Sequence, residues 1–255
     1  MHELITPIII TFNESDNIAR VLERLRWAPR VIVVDSFSTD DTASLCRSFP
    51  SVEFVQRAFD SPAGQFNHGA SLASTPWVFA LGADYVMSEE LIAELGQLNP
   101  AADVTAHQVS FRYCINGRPL RANLYPSATM MYLRERCHFL QDGHTERLVN
   151  DGRVAELRGK IDHDDRKPLS RWLQSQIKYS DQECRKLLAL EPGKGRIQDR
   201  IRRLIFVAPP LVLVYTLFFK GLFLDGWHGW FYSLQRTLAE TFMSLRLLDV
   251  RITKP

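Results

Sequence analysis

Three carboxylates sit where short apolar runs stop. "TPIIITF" (6–12) ends at Asn13-Glu14, "RVIVVDS" (30–36) closes on Asp35-Ser36, and "WVFAL" (77–81) runs through Gly82-Ala83 into Asp84. Farther on, "QDGHTERL" holds Asp142, His144 and Glu146 close together, and "IDHDDR" sets His163 among acids. Carboxylates can ligate a divalent cation, accept hydrogen bonds from a ligand, or take a proton as general bases. Any one of these aspartates is equally what a turn cap looks like. The consecutive His163-Asp164-Asp165 cannot all face one ion without an unusual loop, so that triplet is not read as a metal site.

The groups need a scaffold, and the spacing predicts one. Short β-branched runs at 6–12, 30–36, 52–56 and 77–81 read as buried strands. Helical patterns fall between them at 15–25 (Ser15 as N-cap), 38–49 and 63–74. That alternation implies an α/β fold with a parallel, doubly wound sheet, whose ligands bind outside the carboxyl ends of the strands. Three polar strand ends in one half-domain therefore argue for a site. Beyond Asp84 a helix over 88–98 is expected, then longer strands at 104–117 and 127–135 added in antiparallel fashion. Residues 140–166 read as turns and charge, and from Leu169 the chain reads as mainly helical. The expected division is 1–165 and 166–255.

The whole chain of 255 residues is 45% hydrophobic and 24% charged, which excludes disorder and fibrous repeats. A net charge of +2 gives no case for nucleic acid. Cys46, Cys114, Cys137 and Cys184 lack CxxC spacing, so zinc is not expected and reduced thiols are. The opening "MHELITPIIITFNE" has no basic region ahead of its short apolar run, so no signal peptide is expected. Residues 204–224 are almost wholly apolar and follow the basic "KGRIQDRIRR" (194–203). Pro209-Pro210 interrupts the run, which is short for a span of roughly 20 residues. A membrane-interface element over about 204–232 is expected, with Trp227, Trp230, Phe231 and Tyr232 suited to headgroups. A buried hairpin or a homo-oligomer contact would also use such residues.

Four quoted segments now carry a resemblance. "ITFNESDNI", "VIVVDSFSTDDT", "GQFNHGAS" and "FALGADYVMSEEL" resemble, in order and spacing, the family 2 inverting glycosyltransferases of GT-A fold. "HDDRKPLSRWLQSQIKYS" and "FFKGLFLDGWHGWFYSLQRTLAE" are similar to the tail of the small bacterial enzymes that build lipopolysaccharide core or lipid-linked glycans. The resemblance implies a GT-A domain followed by a helical, membrane-associating region. It implies nucleotide contacts at Thr11, Phe12, Asn13, Glu14, Asp35, Ser36, Gln65, Asn67, Ala83 and Asp84, with an acidic position at Asp40 or Asp41 that capping explains as well. The family pattern is Asp-x-Asp; here Gly82 replaces the first member and Asp84 remains as the metal ligand, for Mg2+ or Mn2+. Glu146 matches the general base, with Asp142 in reserve. His144, His163, Arg166 and Arg171 are implied at the diphosphate or acceptor.

The expected reaction is inverting transfer of a hexose from a nucleoside-diphosphate sugar, UDP-linked for preference, to a hydroxyl of a lipid-anchored saccharide. It would take place at the cytoplasmic face of the inner membrane. Transfer to polyprenyl phosphate and a sugar-nucleotide-binding scaffold without turnover stay open as alternatives.

Overall fold

The computed structural model describes residues 1–142, 145–191 and 194–253. In chain order the strands are β1 (Ile5–Thr11), β2 (Val31–Asp35), β3 (Val52–Gln56), β4 (Trp77–Gly82), β5 (Tyr85–Met87) and β6 (Val104–Ile115). They continue as β7 (Arg118–Pro119), β8 (Ala128–Leu133), β9 (Cys137–Asp142), β10 (Thr145–Asn150) and β11 (Arg153–His163). The helices are α1 (Ile18–Glu23), α2 (Thr42–Arg47), α3 (Pro62–Leu72), α4 (Glu89–Gln97), α5 (Leu169–Ala189), α6 (Ile197–Arg203), α7 (Ala208–Val214) and α8 (Trp227–Thr253). The chain forms two compact units: Met1–Gly117 with Tyr125–Arg166, and Arg118–Leu124 with Lys167 onward.

In the first unit one sheet runs β3-β2-β1-β4-β8-β6-β11-β5. The half formed by β1 to β4 is parallel throughout. β8 then pairs antiparallel with both β4 and β6, while β11 is parallel to β6 and antiparallel to β5. This is an α/β mixed sheet, parallel where the strand–helix alternation predicts it. The strands are buried on both faces because residues alternate across the pleat. Ile5, Ile9, Val31 and Val33 pack with Ile18, Val21 and Leu22 of α1. Ile8, Ile32 and Val34 turn the other way, onto Ala63, Phe66 and Ala70 of α3. Each such side chain taken fully out of water contributes about 1.5–3 kcal/mol.

The structure corrects several boundaries. Helix α1 starts at Ile18, three residues after the expected cap, since the Ser15 amide is committed to Asp40 Oδ2 at 3.1 Å. Helix α2 starts at Thr42 because Ser38, Thr39 and Asp40 hold the preceding loop. The largest correction falls on 140–166. It holds no mere run of turns: β9 and β10 form an antiparallel hairpin, and β11 is an eleven-residue strand in the main sheet. The inward positions of β11 are Leu157, Gly159, Ile161 and His163, so a glycine and a histidine hide the alternation. Gly159 is required there, because a Cβ would lie 2.3 Å from Leu91 Cα on α4.

The second unit is helical. Cys184 and Leu187 of α5 pack with Ile205, Met243 and Leu247. Arg202 grips Glu240 through bonds of 2.6 and 2.9 Å, and Arg203 donates to the Leu187 and Leu190 carbonyls at the end of α5. Pro209 and Pro210 do not kink a longer helix. They occupy the first turn of α7, where the amide hydrogens they lack have no intrahelical partner anyway. Among the described residues no helix is long and apolar enough to cross a membrane.

Candidate active site

The ends of β2, β1 and β4 lie side by side, with Thr11 opposite Asp35 and Ile10 opposite Gly82. Asp35 is wholly buried and accepts from Thr11 Oγ1 (2.9 Å), the Ser38 amide (2.8 Å), Ser38 Oγ and Gln56 Nε2 (3.2 Å). Those four donors occupy the lone-pair sites of a carboxylate. Asp35 thus fastens the β1 and β2 loops together. Asn13 and Phe37 lie in these loops with φ of 55° and 60°, the left-handed region that costs non-glycine residues about 1–3 kcal/mol. The surrounding bonds hold Asn13 there: its amide donates to Ser38 Oγ (2.7 Å) and its Oδ1 accepts from the Thr39 amide (2.7 Å).

Glu14 donates its amide to Thr42 Oγ1 (2.7 Å) and accepts from Asn17 Nδ2 (2.9 Å). Asp40 joins the two loops, and although burial pushes its carboxyl up, bonds from Thr42 and Ser15 hold it below the usual range. Gln65 of α3 donates to Ser36 Oγ (2.9 Å) and accepts from Arg57 (2.9 Å). Phe12 is exposed beside this network. Asn67 is engaged elsewhere, clamping the backbone of Phe139 on β9 through two 2.9 Å bonds.

The second cluster lies one strand over. After β4, the buried Ala83 leads into Asp84, whose Oδ2 meets His163 Nε2 at 3.0 Å. The inward register of β11 delivers that histidine, which is buried. Its ring is boxed edge-on by Tyr85 (5.0 Å), Tyr113 (4.9 Å) and Tyr125 (4.7 Å). His163 Nδ1 is buried with no partner among the described residues. The Tyr85 phenol is pushed well above its ordinary range, first by burial, then by Tyr125, Asp84 and Glu146. Glu146 of β10 therefore acts on the same pocket as Asp84. Gly82 is tight: a Cβ there would stand 2.9 Å from Asp84 Oδ1 and 3.4 Å from the Tyr85 ring.

Next to His163 lies a buried Asp164 that the sequence did not mark as functional. It takes bonds from Arg20 (2.9 Å), Arg166 (2.9 Å) and the Gly117 amide (3.0 Å). Arg20 also donates to Asn17, and burial lowers its pKa while Asp164 and Asp84 raise it. Arg20 thus stands in the field of the Asp84 carboxylate, and Arg166 is held on the same Asp164. Arg20, Tyr113 and Tyr125 carried no motif, and Asn17 lies within "ITFNESDNI" without a role assigned to it. Tyr113 falls on the strand predicted over 104–117, but nothing in its spacing announced a ring against a histidine.

Of the other predicted residues, Asp142 ends β9 opposite Thr145. Arg171 lies in the first turn of α5, in the second unit. His144 lies outside the described residues. No group of three or more His, Cys, Asp or Glu among the described residues could hold a metal ion. A carboxylate with an imidazole beside it still suits a divalent cation that draws its remaining ligands from phosphates and water.

An α/β sheet with carboxylates past the ends of β1, β2 and β4, and with a histidine and two arginines grouped near Asp84, has the arrangement in which open α/β folds place a ligand site at the carboxyl edge. Residues 6–145 match the family model described as Glycosyl transferase family 2, and the chain belongs to that family. It is a glycosyltransferase. It is 27% identical over 235 residues to the lipopolysaccharide core biosynthesis glycosyltransferase LpsC of Rhizobium meliloti (strain 1021), covering 88% of this chain and 84% of that one. An uncharacterized glycosyltransferase of Rickettsia conorii is 36% identical over 94 residues, which is 36% of this chain and 33% of that protein. Among solved structures, S. aureus TarS 1-349 in complex with UDP-GlcNAc aligns at a TM-score of 0.49 and 12% identity, over 98% of this chain and 91% of that one.

Proposed function

We propose that the protein moves a hexose, with inversion, from a UDP-sugar to a hydroxyl of a lipid-anchored saccharide of the lipopolysaccharide-core kind. The observation that carries the reading is Asp84, oriented by His163 beside the charge of Glu146 at the carboxyl edge of the sheet. The likeness to LpsC over most of both chains supports the acceptor class. The loop network of Thr11, Asn13, Glu14, Asp35, Ser36 and Gln65, with Phe12 exposed beside it, would seat the nucleoside. Arg20 and Arg166 would face the diphosphate.

In the transfer, Glu146 takes the proton of the acceptor hydroxyl as that oxygen bonds to the anomeric carbon. The bond from that carbon to the diphosphate oxygen breaks on the opposite face, and UDP leaves. Asp142 is the alternative base. Asp84 and His163 would hold Mg2+ or Mn2+, which when bound supplies positive charge to the leaving diphosphate. Transfer to polyprenyl phosphate would need no base, because that acceptor is already an anion.

The test is a UDP-sugar panel with membrane lipid extract as acceptor, run with Mn2+, Mg2+ or EDTA. Wild type would be compared with Asp84→Asn and Glu146→Gln. The proposal expects metal-dependent UDP release that Asp84→Asn abolishes, and product formation that Glu146→Gln abolishes while UDP still binds. Full transfer by Glu146→Gln to a polyprenyl phosphate would move the reading to that acceptor. Nucleotide binding without turnover under every condition would leave a scaffold.

A further inference from the structure

Helix α8 is packed inside out over its first half. The side chains turned into the unit are Tyr232, Ser233 and, farther on, Glu240 and Ser244. Those left in solvent are Trp227, Trp230, Phe231, Leu234 and Leu238. Their spacing of three, one, three and four places them on one helical face. An ordinary surface helix buries its apolar stripe; this one buries Gly229, the Tyr232 ring, Ser233 and Glu240 over its first half, with Met243 and Leu247 buried only farther on, and leaves an apolar stripe exposed.

The preceding turns repeat the inversion. Thr216 is wholly buried, its hydroxyl returned to the Val212 carbonyl at 2.8 Å, while Phe218 and Phe219 face out. Trp227 is 87% exposed, Phe219 78% and Phe206 72%. The exposed apolar side chains come from the link before α7, from α7 and its π-helical continuation over Tyr215–Phe219, from the short 3-10 turn over Leu222–Asp225 and from the start of α8, so short pieces and not one long helix build the apolar surface. The buried carboxylates Glu240 and Asp225 are paired, with Arg202 at 2.6 Å and with Arg121 at 3.0 Å. At the chain-proximal side, α6 exposes Arg200 and its cap residue Arg196.

We infer that the surface formed by residues 204–238 docks flat on an anionic lipid bilayer. Aromatic side chains would enter the headgroup and upper acyl layer, and the flanking arginines would meet lipid phosphates. Charge decides between this occupant and a second copy of the chain. Exposed Arg196 and Arg200 precede the apolar run and Lys220 lies within it, its ammonium 5.6 Å from the centre of the Tyr215 ring; an isologous dimer would bring these cations against their own copies, whereas a negatively charged leaflet neutralises them. Nothing in the inference depends on the reaction proposed above.

The test uses the full chain in flotation with vesicles of phosphatidylcholine alone or with one-third phosphatidylglycerol. Brominated acyl chains serve as quenchers of tryptophan fluorescence, and light scattering reports the oligomeric state. The wild type should float with the anionic vesicles, less so at high salt, and be quenched. The triple variant Phe206→Ser, Phe219→Ser, Trp227→Ser should lose binding by about 100-fold with an unchanged melting temperature. If the triple variant misfolds, the single Trp227→Ser replaces it and should reduce both quenching and binding. Arg196→Glu with Arg200→Glu should erase only the preference for anionic vesicles. Wild type that stays off every vesicle, or vesicle binding untouched by the apolar variants, overturns the inference. So does a dimer that the triple variant dissolves in the absence of vesicle affinity.

Discussion

Gly82→Ala adds one methyl group at the point where the family pattern has its first aspartate. The added carbon would stand 2.9 Å from Asp84 Oδ1. Ordinary contact requires the carboxylate to retreat by about 0.5 Å. Its other oxygen holds His163 Nε2 at 3.0 Å, and the Tyr85 ring, 3.4 Å from the new carbon, closes the sideways exit. Lengthening that bond to about 3.5 Å takes it to the edge of a hydrogen bond. A bond to a charged group contributes about 1.5–3 kcal/mol, which converts to a loss of about 10-fold to 150-fold in kcat/KM if the carboxylate must be aimed by the histidine. Donor turnover, followed as UDP release across a metal titration, reads the effect. The decisive comparison repeats Gly82→Ala in a His163→Ala background, where the methyl group should cost little because the bond it strains is gone. Gly82→Asp should not improve metal use, since the same Cβ displaces the carboxylate already there. Wild-type kcat/KM in Gly82→Ala, or an equal loss with and without His163, would refute the reasoning.

Three further outcomes follow from buried groups. Asp35→Ala leaves the Thr11, Ser38 and Gln56 donors without their acceptor and should cost about 2–4 kcal/mol, seen as a lower unfolding midpoint in urea. Glu240→Leu leaves the Arg202 guanidinium with Glu183 at 3.9 Å and should cost about 1–3 kcal/mol, whereas Glu240→Leu with Arg202→Met should recover part of the loss in thermal melts. His107 is buried with neither ring nitrogen partnered among the described residues, and burial lowers its pKa. The unfolded chain then binds the proton more readily, so the stability from a neutral His107 is present above the unfolded pKa of about 6.5 and is lost as pH falls. His107→Leu should narrow the gap between melting temperatures at pH 8 and pH 5, and an unchanged gap would place the acid sensitivity elsewhere.

The parallel half of the sheet was legible because its strands say one thing at every level. β1, β2 and β4 are β-branched or apolar runs, buried on both faces; β1 and β2 stop at Thr11 and Asp35, and β4 ends two residues before Asp84. The half that escaped reading is β9 to β11. There burial is one-sided, and two of the four inward positions of β11 are Gly159 and His163, chosen for close approach to α4 and for the site. A pattern search counts both as polar, so the strand vanishes into a charged stretch. Tertiary contacts that no local window contains also moved the helix starts, such as the Ser15 amide bonding Asp40 and the Glu14 amide bonding Thr42.

The site shows the same division in its chemistry. Asp35 and Asp84 were visible because a carboxylate at a strand end is a local signal. The partner that defines each was not. Asp35 emerges as a fastening for two loops, since its four donors come from β1, its own loop and β3. Asp84 emerges as one half of a pair with a residue 79 positions away. The missing aspartate at Gly82 reads differently once that pair is seen. A Cβ at 82 would crowd Asp84 Oδ1 while His163 holds Oδ2, so the glycine leaves the carboxylate free to meet the histidine. Seen from the sequence, Gly82 subtracts a carboxylate; seen from the geometry, it makes room for a carboxylate–imidazole pair in place of two carboxylates. That exchange lowers the negative charge of the pocket and fits the presence of Arg20 and Arg166 held in place by Asp164.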